Sequence, residues 1–141
     1  MRHEVTIICD DIRSEIGRKV SLMGVFDEAL LIASAPARIA RLGLFQKWSE
    51  VEGFPKLVVE ITGSAIGGNS FKAQGVRSDE AKKKHSPVLK ALMVFGPLDI
   101  LSAGEIEFRT YFDDAKEPNY VHRLNVRVGQ KEFDESMRSG P

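Results

Sequence analysis

The stretch from Gly104 to Val128 limits the fold more than any other, because it alternates with a period of two on both sides of a turn-forming run. Ile106, Phe108 and Phe112 are apolar at even positions, Glu105, Glu107 and Arg109 are charged between them, and Thr110 is the one polar member of the inward set. After residues 113–119, which supply Asp, Pro and Asn, the alternation resumes with Leu124, Val126 and Val128 against Arg123, Asn125 and Arg127. The pattern predicts a long antiparallel hairpin buried on one side. With both even faces inward, the expected register sets Glu107 opposite Arg127 and Tyr111 opposite Arg123.

The same period recurs upstream. Val5, Ile7 and Cys9 form a first short strand, and the charged residues 10–19 read as a loop or single helical turn. Val20 to Ala33 reads as one long strand or two short ones. In residues 34–55 Leu42, Leu44 and Gln46 alternate with Gly43, Phe45 and Lys47, which favours a strand over a helix. Leu57, Val59 and Ile61 give another, and Gly67-Gly68-Asn69-Ser70 marks a tight turn before Phe71 to Val76. Val88 to Phe95 is apolar enough for a central strand, Leu98 to Leu101 forms a short edge piece, and residues 129–141 read as a partly flexible tail in which Phe133 and Met137 have helical spacing. Seven to nine short strands without regular helix alternation predict an all-β, antiparallel two-sheet β-sandwich of the immunoglobulin or C2-like kind, one domain over residues 1–128 with at most a short helix.

Composition agrees with a chain that folds alone. At 141 residues it can bury roughly two thirds of its unfolded surface. Lys plus Arg and Asp plus Glu both number 20, so no global field draws nucleic acid or an acidic membrane. The single cysteine excludes an intrachain disulfide, and the short apolar run before Asp10 does not make a signal peptide; a cytoplasmic location is expected.

The run Cys9-Asp10-Asp11-Ile12-Arg13-Ser14-Glu15-Ile16-Gly17-Arg18-Lys19-Val20-Ser21-Leu22-Met23-Gly24-Val25-Phe26 resembles the opening of a family of small, uncharacterised bacterial and phage-associated proteins, a domain of unknown function. That pattern has a strand ending in Cys-Asp, then Arg-x-Glu, a Gly-Lys pair and Ser-Leu-x-Gly; here Arg18 separates Gly17 from Lys19. The resemblance covers 18 residues and implies a β-sandwich with no established activity. It also fits an inhibitor that acts by covering a partner's surface.

Candidate sites follow from residue chemistry. Cys9 and His3 share a face but stand about 20 Å apart on an extended chain, so Cys9 reads as a small core residue rather than a nucleophile. His122 falls on the inward face and reads as a core or rim histidine. Asp10, Asp11 and Glu15 in one connection and Asp113, Asp114 and Glu117 in another are hard oxygen ligands, which could hold calcium if both connections met at one end of the sandwich. Solvated acidic turns are the favoured reading. Lys82 to Lys84 lack the interleaved aromatics of a single-strand binder, so nucleic acid is disfavoured. Trp48, Arg109, Tyr111, Arg123 and Arg127 are residue types that anchor protein interfaces, whereas Phe45 and Phe54 read as core. The expectation is a binding or assembly module without catalytic residues or cofactor, with a protein partner and a possible homo-oligomer through edge strands. The alternative is a divalent-metal sandwich, binding or enzymatic, that uses the acidic connections.

Overall fold

The computed structural model describes residues 1–17, 19–53, 55–75 and 87–138, so Arg18, Phe54 and the run Lys82 to Lys84 lie outside the described residues. Each strand exists because alternate side chains can be buried while the other set stays wet, and among the described residues eleven such strands form, more than the seven to nine expected. In chain order they are β1 (Arg2–Glu15), β2 (Lys19–Val25), β3 (Ala29–Ile32), β4 (Ala37–Ile39), β5 (Leu42–Ser49), β6 (Leu57–Thr62), β7 (Phe71–Gly75), β8 (Leu89–Phe95), β9 (Leu98–Ile100), β10 (Gly104–Phe112) and β11 (Tyr120–Val128). A 3-10 turn, Ser64–Ile66, precedes the Gly67-Gly68 corner.

The first sheet has the order β2-β1-β5-β8 and the second β3-β11-β10-β6-β7, while β4 and β9 pair as a small ribbon. Their inner faces share one core. Ile8, Leu42, Leu44, Trp48 and Met93 come from the first sheet, and Leu57, Val59, Ile61, Ile106, Phe108, Phe112, Leu124 and Val126 from the second. Among the described residues every ladder but one is antiparallel; β3 runs parallel to β11, with Ala29 beside Asn125. One polar chain crosses this core. Gln46 Nε2 donates to Thr110 Oγ1 at 2.8 Å, and Trp48 Nε1 donates to Gln46 Oε1 at 3.2 Å, so a residue from each sheet is joined inside the oil.

Three expectations about these elements change. The β10–β11 hairpin closes four residues tighter than expected, with Glu107 opposite Arg123 rather than Arg127. The cause is the turn, where Asn119 joins the ladder: its N–H donates to the Thr110 carbonyl at 2.7 Å and its Oδ1 accepts from the Phe112 N–H. Second, β1 does not stop at Cys9. It leaves β5 there and continues to Glu15 paired with β2, so residues 10–15 are strand and not loop. Third, β8 is an edge strand of the first sheet, not a central one. The tail begins with helix α1 (Gln130–Arg138), in keeping with the helical spacing of Phe133 and Met137, anchored where the Gly129 N–H donates to the Ile32 carbonyl at 3.0 Å.

Candidate functional site

The outer face of the second sheet gathers three of the expected interface residues. Odd positions of β10 and β11 point outward, so Arg109, Tyr111 and Arg123 stand together around Glu60 of β6 and Glu107. Arg109 binds Glu107 at 2.8 Å and Glu60 at 3.5 Å, Arg123 approaches Glu107 at 3.4 Å, and the Tyr111 hydroxyl donates to Glu60 at 3.3 Å. The hydrogen bond from Arg109 holds the Glu107 carboxyl below its usual range, and that bond in turn raises Arg109. These groups satisfy one another. Tyr111 lies beside Val58 of β6, so the expected Tyr111–Arg123 cross-strand pair does not form. Arg127 stands four residues along β11 from Arg123, about 13 Å away, beside Phe26, Asp27 and Glu28. Glu60 is the hub that sequence reasoning passed over, although it sits in the outward set of its own strand.

Trp48 does not reach the surface. It is 4% exposed, with its ring edge-on to Phe112 and to His3. Strand parity explains this: Trp48 follows Leu42, Leu44 and Gln46 inward, and Phe45 is turned outward instead of joining the core. His3 stacks on Tyr120 at 3.6 Å and its Nε2 meets the Thr6 hydroxyl at 2.7 Å, while burial lowers the affinity of both His3 and His122 for a proton. Cys9 is fully buried as expected, and burial pushes its thiol up, away from nucleophilic use.

The acidic residues are not brought together. Asp10 and Asp11 lie seven and eight residues along β1 from His3, and Asp11 is paired with Arg41 at 3.3 Å. Asp113 and Asp114 follow Phe112 near the His3 end, where Asp114 meets Lys56 at 3.1 Å and Asp113 Oδ1 accepts from the Lys56 N–H. At about 3.3 Å per strand residue the two pairs sit more than 20 Å apart, at opposite ends of the sandwich, so they cannot share an ion. Among the described residues, no three His, Cys, Asp or Glu side chains are grouped as metal ligands.

The other outer face has a different character. Ladder partners share a face, so the register of the first sheet sets side by side Ile7, Phe45 and Leu92, then Val25, Cys9, Gly43 and Val94. Val25, Leu92 and Val94 are 55%, 42% and 53% exposed, and Ile7 and Phe45 are half-buried between their neighbours. Charged rows bound the apolar ones. Lys47 and Lys90 are partners on one side, and Asp11 with Arg41 lies on the other. Beyond that, the β1–β2 ribbon projects past the end of β5 and carries Ile16, 97% exposed, at its turn. An apolar centre bounded by charge is the anatomy of a recognition surface, and sequence parity signals it once Phe45 is followed outward.

No model of a known protein family matches the chain, and a comparison with curated proteins returns no match. Among the described residues, no helix is long and apolar enough to cross a membrane.

Proposed function

We propose that the chain is a non-catalytic binding or assembly module that engages a protein partner in the cytoplasm. The supporting observation is the contrast between its two outer faces. On the second sheet the charged residues are paired with each other, so a partner must break existing bonds to use them. On the first sheet Leu92 and Val94 stand exposed beside Phe45 and Ile7, where covering them releases water without breaking a bond. Membership of the bacterial and phage-associated family, and inhibition of a partner by covering its surface, belong to the same reading, since neither needs a reacting group.

The test is capture of a partner from the native host by the tagged chain. Leu92→Asp with Val94→Asp abolishes retention while the melting midpoint stays near the parent's, because both side chains are already exposed. Tyr111→Ala with Arg123→Ala leaves retention in place. The same partner held equally by the Leu92/Val94 variant overturns the proposal.

A further inference from the structure

The charges that bound the apolar rows of the first sheet are unequal. Among the described residues Lys47 and Lys90 form no ion pair within 4.0 Å; Lys47 exerts only a weaker pull on Glu4, whose carboxylate is already bound by Ser49 and Arg2. Both lysines border Ile7, Phe45 and Leu92 on the same side, two residues along β5 and β8. At the opposite border stands a third cation, Arg41, paired with Asp11 at 3.3 Å.

A second copy of the chain fits this surface poorly. Two faces packed about a twofold axis along the strands bring the Lys47 rows onto each other. Turned about an axis across the strands at Leu44, Lys47 comes over Arg41, which immediately precedes β5 and stands three residues from Leu44, as Lys47 does. The first arrangement sets like charges against one another in a partly dehydrated border, and the second brings Lys47 to an arginine whose carboxylate is already taken, so neither pairing is favoured.

From this placement, and resting on the binding reading above, we infer that the first sheet's outer face receives an acidic partner segment. Aliphatic side chains of the partner cover Phe45, Leu92 and Val94, and its carboxylates meet Lys47 and Lys90. The apolar contact supplies most of the affinity, and the lysines select the partner and speed its approach.

The experiment uses two short fluorescent peptides, each with a central aliphatic triplet, one flanked by glutamates and the other by lysines. Anisotropy with the full chain is expected to show the glutamate peptide binding about tenfold or more tightly than the lysine peptide, with the preference fading as salt rises. Lys47→Glu with Lys90→Glu reverses the preference and leaves the melting midpoint near the parent's. Equal binding of the two peptides, binding of neither, or a preference untouched by the charge reversal overturns the inference. So does a chain dimer in sedimentation that Leu92→Asp dissolves, which would give the face to a second copy. These outcomes are separable from the capture test, where only the apolar variant decides whether the face binds a protein at all.

Discussion

Replacing Thr110 by Val keeps the shape of the core and removes the one acceptor that Gln46 Nε2 uses. Gln46 and Thr110 are both 0% exposed, so no solvent can take over the lost bond. Stranding one buried donor costs about 1–3 kcal/mol. Gln46→Leu strands two groups, the Trp48 indole N–H and the Thr110 hydroxyl, and its cost is expected to be about twice as large. The double variant leaves only the indole unsatisfied, so its loss falls short of the sum of the single losses by two stranded groups, about 2–6 kcal/mol. Urea unfolding followed by the fluorescence of Trp48, the single tryptophan, measures all three at unchanged slope. Against a total stability of about 5–15 kcal/mol these are large fractions. A Thr110→Val loss below about 0.5 kcal/mol, or single losses that simply add, would refute the claim that this chain joins the two sheets.

Three further outcomes are expected. Gly63 has φ +134°, and an added Cβ would stand 2.2 Å from the Glu105 carbonyl oxygen, so Gly63→Ala costs more than about 2 kcal/mol, whereas Gly68→Ala, at φ +72° with open space, costs about 1 kcal/mol; thermal unfolding that reverses this order would refute the steric argument. Burial lowers the proton affinity of His3 and His122, so the unfolded chain takes up protons first: stability is whole above the ordinary histidine value of about 6.5 and declines as pH falls below it. The decline in melting midpoint between about pH 7.5 and pH 5.5 should shrink in His122→Gln, and an unchanged decline contradicts the assignment. Millimolar calcium leaves the midpoint unchanged, because the acidic pairs lie at opposite ends and already face Arg41 and Lys56; a rise would mean that one pair alone binds the ion.

The period-two pattern exposed the inner faces well, since burial acts on every second residue and leaves its mark in the residue types. It recovered the core of β10 and β11 and the strand character of β5, β6 and β7. It missed features that burial does not mark. Residues 10–15 belong to a ribbon wet on much of its surface, so Asp11, Arg13 and Glu15 lie opposite Met23, Ser21 and Lys19 with no apolar alternation to reveal the pairing. The hairpin register depends on how Asn119 bonds within its turn, which residue types alone do not fix. Aromatic side chains misled in the opposite sense. Trp48 suggested an interface and Phe45 a core, yet parity along Leu42–Ser49 already assigns the first inward and the second outward. The acidic connections could be tested only once the order of strands placed them apart.

The parallel ladder between β3 and β11 ties the chain's first third to its last. Ala29 to Ile32 are synthesised nearly a hundred residues before Asn125 to Val128 arrive beside them, and among the described residues no earlier strand of that sheet borders β3. During translation the segment therefore waits with its hydrogen-bonding groups open to water or to a chaperone, and the sheet is completed in one late step of high sequence separation. A nascent chain halted before Tyr120 could assemble its four-stranded layer and still leave Leu30 without the wall that buries it.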